Sequence, residues 1–175
     1  RFCVDVGTST GGFTDCMLQH GAARVLAIDT GYGQIAQSLR DDPRVILMER
    51  TNARMLAPGD LPPGISFLAV DVSFISATLV LPPVLAAVRH ASDNVRRVSD
   101  TVSLEGVILI KPQFEAGRER VGKGGIVRDP AAHQLAIDRV RTCVSDIGGS
   151  AIEVIESPIT GTEGNREFLL HAAWR

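Results

Sequence analysis

Val4-Asp5-Val6-Gly7-Thr8-Ser9-Thr10-Gly11-Gly12-Phe13-Thr14 is the stretch from which the rest of the chain can be read. An apolar, β-branched run ends at a glycine turn, and a helix-like pattern follows. Such a junction aims backbone N–H groups beyond the sheet edge, where a carboxylate or phosphate can be held. Further on, Val25-Leu26-Ala27-Ile28-Asp29 is a second apolar run that ends in a carboxylate. An acid there occupies the position where a nucleoside ribose meets its hydroxyl acceptor. Together the two runs predict a nucleotide-type cofactor at the carboxyl edge of a parallel sheet.

The glycine spacing narrows the cofactor. Gly7-x-x-x-Gly11-Gly12 departs from the G-x-G-x-x-G of nicotinamide enzymes, and no glycine two places after Gly7 permits the usual close approach to a pyrophosphate. Thr8, Ser9 and Thr10 instead set hydroxyls beside the N–H groups. That suits a small zwitterion such as the methionine end of S-adenosylmethionine, with a nicotinamide-dependent oxidoreductase as the alternative.

Bulk properties exclude other classes. A chain of 175 residues with 45% hydrophobic content fits one domain with a real core. No apolar run approaches the ~18–20 residues of a membrane span, and no signal-peptide pattern opens the sequence. Cys3, Cys16 and Cys143 read as reduced thiols of a cytoplasmic protein, with no metal site. A net charge of -2 gives no overall attraction to nucleic acid, so any such binding needs a local basic patch or another domain. Arg1 stands directly before the first strand, which leads us to expect further residues upstream.

Strands are expected at Phe2–Val6, Arg24–Asp29, Val45–Glu49, Ile65–Asp71, Ser103–Ile110, Ala151–Glu156 and Glu167–Ala173. Helices are expected at Gly12–His20, Gln34–Arg40, Ser73–Arg89 and Pro130–Ile147. Pro82-Pro83 should kink the third or restart it, and Asp129-Pro130 should open the fourth. The alternation predicts an α/β doubly wound sheet with right-handed crossovers. Residues 157–166 are too few for a crossover helix, so the last two strands should form an antiparallel hairpin. A mostly parallel seven-stranded sheet with an antiparallel final hairpin is the Rossmann-like architecture of class I S-adenosylmethionine-dependent methyltransferases.

Asp71 and Lys111 each end an apolar run, and Glu167 opens a strand running the other way. All three should therefore meet at the carboxyl edge, where ligands bind in this fold class. Each alone reads as a solvated strand terminus; their convergence points to chemistry.

The chain resembles the hemolysin-A-like (TlyA) ribosomal RNA 2'-O-methyltransferases, a branch of the FtsJ-like group. The resemblance rests on Asp5-Val6-Gly7-Thr8-Ser9-Thr10-Gly11-Gly12-Phe13-Thr14-Asp15, Asp29-Thr30-Gly31-Tyr32-Gly33-Gln34 and Glu49-Arg50-Thr51-Asn52-Ala53-Arg54. It continues through Asp71-Val72-Ser73-Phe74-Ile75-Ser76, Ile110-Lys111-Pro112-Gln113-Phe114-Glu115 and Gly164-Asn165-Arg166-Glu167-Phe168. These blocks run in family order over essentially the whole chain.

The resemblance implies S-adenosylmethionine-dependent (cytidine-2'-O)-methylation of 16S/23S ribosomal RNA. It implies a Lys-Asp-Lys-Glu tetrad, of which Asp71, Lys111 and Glu167 match the last three members. Residues 1–175 then form the methyltransferase domain. The first tetrad lysine and a small S4-type RNA-binding domain are expected upstream of them, in the parent protein. An ordinary lysine, with a pKa of about 10.4, is a poor base near neutrality. Lys111 is accordingly the candidate base or oxyanion stabiliser, positioned by Asp71 and Glu167. Asp5, Gly7, Ser9, Gly11, Asp29, Asn52 and Asp71 are the candidate cofactor contacts, with Asn52 near the adenine. Arg118, Arg120, Lys123 and Arg128 sit in a segment with four glycines that reads either as a solvated loop or as a clamp on RNA phosphates. The family's older name raises a membrane-active hemolysin as a second alternative, although no amphipathic or spanning segment stands out.

Overall fold

The computed structural model describes residues 1–93, 103–161 and 164–175. Seven strands form one sheet: β1 (Phe2–Val6), β2 (Arg24–Ile28), β3 (Val45–Met48), β4 (Ile65–Val70), β5 (Leu104–Ile110), β6 (Ser150–Glu156) and β7 (Phe168–Trp174). Their order is β3-β2-β1-β4-β5-β7-β6. Pairings among β1 to β5 are parallel, and β7 runs antiparallel between β5 and β6. The mostly parallel sheet with an antiparallel end is therefore as expected.

Among the described residues five α-helices flank it: α1 (Gly12–Gln19), α2 (Gln37–Arg40), α3 (Ala77–Asp93), α4 (Pro112–Glu115) and α5 (Pro130–Asp146). The two-residue period of the strands sorts side chains onto opposite faces. Val4, Val6, Leu68, Val70, Ile108 and Leu170 pack with Val84, Leu85, Val140 and Val144 of α3 and α5. Cys3, Val25, Ala27 and Ala69 pack with Met17, Leu18 and Leu39 on the other face.

Several element bounds differ from expectation, each for a local reason. Asp29 and Asp71 lie one residue past their strands, already in the edge loops. The second helix begins at Gln37 instead of Gln34, because the Ala36 N–H bonds the Thr10 carbonyl and Ala36 is itself non-helical, with φ -54° and ψ 140°. The third begins at Ala77 instead of Ser73, since residues 73–76 form a separate loop with Phe74 at φ 65°. Pro82 and Pro83 neither end nor restart this helix, which runs from Ala77 to Asp93 with both inside. Pro82 has no N–H for the Thr78 carbonyl, and the Cys143 thiol bonds that oxygen instead, at 3.7 Å. The short helix α4 directly after Lys111 is an addition to the expected elements.

Candidate active site

The glycine turn is built by tight packing. Gly7 and Thr8 both donate N–H bonds to the Ile28 carbonyl, drawing the turn against the end of β2. Gly7 has φ 85°, and a Cβ there would collide with the Asp71 carbonyl oxygen. Only glycine permits that approach, so the turn and the loop after β4 lie against each other. Asp29 fixes the turn from the other side: its carboxylate accepts the Ser9 N–H at 2.8 Å and the Gly31 N–H at 2.7 Å.

These loops enclose a cavity of about 280 Å³ at the carboxyl edge of the sheet. Gly7, Ser9, Asp29, Asn52 and Asp71 all line it, joined by Thr51, Ser73 and Phe74. Asn52 also caps a short turn, accepting the Arg54 N–H at 3.1 Å.

Two of the expected cofactor residues are placed elsewhere. Gly11 is outside the lining, because its Cα faces Ile35 and Leu39 and its small size serves packing. Asp5 lies within β1 beneath the turn, 1% exposed, where it accepts the Thr14 hydroxyl at 2.6 Å. Its other oxygen is buried with no hydrogen-bond partner. Burial, with smaller contributions from Asp71 and Asp29 and against the Thr14 bond, pushes the Asp5 carboxyl up to about 6.

Asp71, Lys111 and Glu167 are brought to one rim. Lys111 Nζ pairs with Asp71 Oδ1 at 2.5 Å and donates to Ser73 Oγ at 2.9 Å. Glu167 directly precedes β7, whose register sets Phe168 opposite Ile110, so it stands across from Lys111. Burial raises the Glu167 carboxyl, and the Lys111 charge pulls partly the other way. Gln113 Nε2 reaches the same carboxylate at 3.5 Å.

Sequence reasoning passed over Ser73 and Glu115. Ser73 offered one signal, its place two residues after Asp71. Glu115 is a 4% exposed acid whose two oxygens accept the Ser76 hydroxyl at 2.5 Å and the Ala77 N–H at 2.7 Å. It therefore caps α3 from the far side of the site, and burial lifts its carboxyl above the ordinary range.

The basic segment is rooted beside Glu167. Asn165 is 2% exposed; it accepts the Val127 N–H at 2.9 Å and donates to the Gly125 carbonyl at 2.9 Å. His133 bonds the Val127 carbonyl at 2.8 Å. Arg118, Arg120, Lys123 and Arg128 project from this rooted segment and are exposed.

Comparison with known families decides among the readings. The FtsJ-like methyltransferase model matches residues 1–174. The chain belongs to the FtsJ-like methyltransferase family. Within that family it is 46% identical to YqxC of Bacillus subtilis over 175 residues, covering 99% of this chain and 58% of that protein. It is 42% identical to the 16S/23S rRNA (cytidine-2'-O)-methyltransferase TlyA of Mycobacterium tuberculosis over 170 residues, covering 97% of this chain and 59% of the relative. The chain thus spans less than two thirds of these two relatives. A crystal structure of a hemolysin-named protein from Lactococcus lactis superposes with a TM-score of 0.87 at 44% identity, over 100% of this chain and 78% of that one. The FtsJ-like assignment displaces the nicotinamide oxidoreductase reading. Among the described residues no helix is long and apolar enough to cross a membrane.

Proposed function

We propose that this chain transfers a methyl group from S-adenosylmethionine to a ribose 2'-hydroxyl of ribosomal RNA. The observation that carries the reading is the Lys111–Asp71 pair, faced by Glu167, on the rim of a polar cavity floored by the glycine turn.

The cavity suits the cofactor. Its lining supplies the Ser9 hydroxyl and the Asp29 and Asn52 side chains. Asp71, which lines it, keeps a buried oxygen that accepts no hydrogen bond. S-adenosylmethionine, when bound, supplies a methyl group on a sulfonium, so an oxygen–carbon bond forms as a sulfur–carbon bond breaks. Gly7, Ser9 and Asp71 would border the methionine end, Asp29 the ribose and Asn52 the adenine. Asp29 and Asp71 leave the cavity acidic, which favours a cationic guest.

The remaining work falls to orientation and one proton. Lys111, fixed by Asp71, stands at the rim to take the hydroxyl proton or to steady the developing oxyanion. Glu167 faces the same amine and restrains it.

Phe74 is 93% exposed beside Ser73 and packs its ring against Phe114 at 5.4 Å. It offers a face for an unstacked base, the usual mode of recognition in single-stranded RNA. Arg118, Arg120, Lys123 and Arg128 are read as phosphate-binding groups that position the substrate. An S4-type module in the complete protein would share recognition of the ribosome, and a ribosomal substrate is met in the cytoplasm.

Incubating the complete protein with ribosomal subunits and methyl-labelled S-adenosylmethionine tests this directly. Label should appear on a ribose 2'-oxygen, mapped by primer extension. Cofactor binding without label on any ribosomal RNA would overturn the reading. Liposome leakage without methyl transfer would support the hemolysin alternative.

A further inference from the structure

We propose that Ser73 is a positioning residue for Lys111, an inference that rests on the methyl-transfer reading above. An ammonium group has three N–H donors in tetrahedral array. The Lys111 side chain is only 13% exposed, and its Nζ touches Asp71 Oδ1 and Ser73 Oγ. The contact with Asp71 is an ion pair whose Oδ1 accepts no hydrogen bond, and by itself it would let the amine pivot. The hydrogen bond to Ser73 Oγ supplies the direction the ion pair lacks, and so orients the remaining N–H groups, or the lone pair once a proton has left.

The chemistry of the second tether matters. A hydroxyl holds the amine without adding charge. A carboxylate in its place would further stabilise the ammonium form and oppose any proton transfer at that nitrogen. Ser73 lines the cavity together with Phe74, whose side chain is otherwise exposed.

The loop carrying Ser73 is held hard enough to do this work. Upstream, the Asp71 backbone lies against Gly7 with no room for a side chain between them. Downstream, Glu115 takes the Ser76 hydroxyl and the Ala77 N–H. Between these anchors Phe74 adopts φ 65°. A non-glycine residue keeps such a conformation only where its surroundings over-determine it. That turn separates the two side chains, setting Ser73 toward Lys111 and Phe74 outward.

The test compares wild type with S73A and S73T in the complete protein. S73A should lower kcat on ribosomal subunits about tenfold or more, the scale of a misplaced reacting group. Its KM for RNA, affinity for S-adenosylmethionine and melting temperature should stay near wild type. S73T, which keeps the hydroxyl, should recover most of the rate. In parallel, the Lys111 Nζ resonance of selectively 15N-labelled protein, free of cofactor and RNA, should be sharp in wild type and S73T and broadened in S73A. An S73A kcat within twofold of wild type, or an unchanged Lys111 resonance, would overturn the assignment. An inactive wild type would sink the methyl-transfer reading instead, while the resonance still tests Ser73.

Discussion

Protonation of Asp5 couples the floor of the site to solution pH. Its carboxyl is raised from 3.8 to about 6, chiefly by burial. The folded chain therefore binds this proton more tightly than the unfolded chain does. The sign follows: stability falls as pH rises from about 4 to about 6, then levels once both states are ionised. A shift of this size is worth on the order of 2–3 kcal/mol. Asp5→Asn can still accept the Thr14 hydroxyl and should remove this component. Melting curves of both proteins across pH 4 to 7 check it, and a parallel pH dependence in the two would exclude Asp5 as the source. Lys111→Ala, by contrast, should abolish methyl transfer while leaving S-adenosylmethionine affinity within a few-fold, as measured by calorimetry and a labelled-methyl assay. Asp29→Ala should weaken cofactor binding by ~1–3 kcal/mol, the scale of losing a bond to a charged group. An unchanged titration would remove Asp29 from the site.

At the level of elements, the capping of α3 by Glu115 is where architecture and chemistry meet. One carboxylate both ends the loop that carries Ser73 and satisfies an N-terminal N–H of the helix. Glu115→Ala should destabilise the fold by ~1–3 kcal/mol through the missing cap and the stranded hydroxyl and N–H. Glu115→Gln should lose less, since its amide can still accept and donate. Denaturant midpoints rank the three proteins, and equal midpoints would show that the cap carries no stability. This element also marks a limit of reading sequence. Apolar periodicity located all seven strands to within one residue at each end and put Asp71, Lys111 and Glu167 at one edge. It overran the start of α3, because apolar pattern continues through residues 73–76 while a buried acid from distant sequence decides where the helix begins. Gly11, expected beside the cofactor, also has Ile35 and Leu39 packed against it, a tertiary contact that leaves no local signal.

For the molecule as a whole, net charge and local charge point different ways. The chain carries -2, yet Arg118, Arg120, Lys123 and Arg128 project together from the segment rooted by Asn165 and His133. RNA affinity should therefore weaken with salt with a slope set by only a few phosphates. Replacing these four residues with Gln should flatten the plot of log affinity against log salt by about one unit for each phosphate no longer engaged. S-adenosylmethionine affinity should not move. A salt dependence identical to wild type would place the RNA-binding groups elsewhere. The insertion of β7 between β5 and β6 carries a consequence for the order of biosynthesis. β6 is made first but has no partner in the sheet except β7, so the edge of β5 stays open until the last of the seven strands leaves the ribosome. The residue leading that strand is Glu167. Closing the sheet and bringing Glu167 to the rim are thus one event, and a nascent chain carries Lys111 and Asp71 without it. On the methyl-transfer reading proposed above, activity would wait for the strand that completes the sheet.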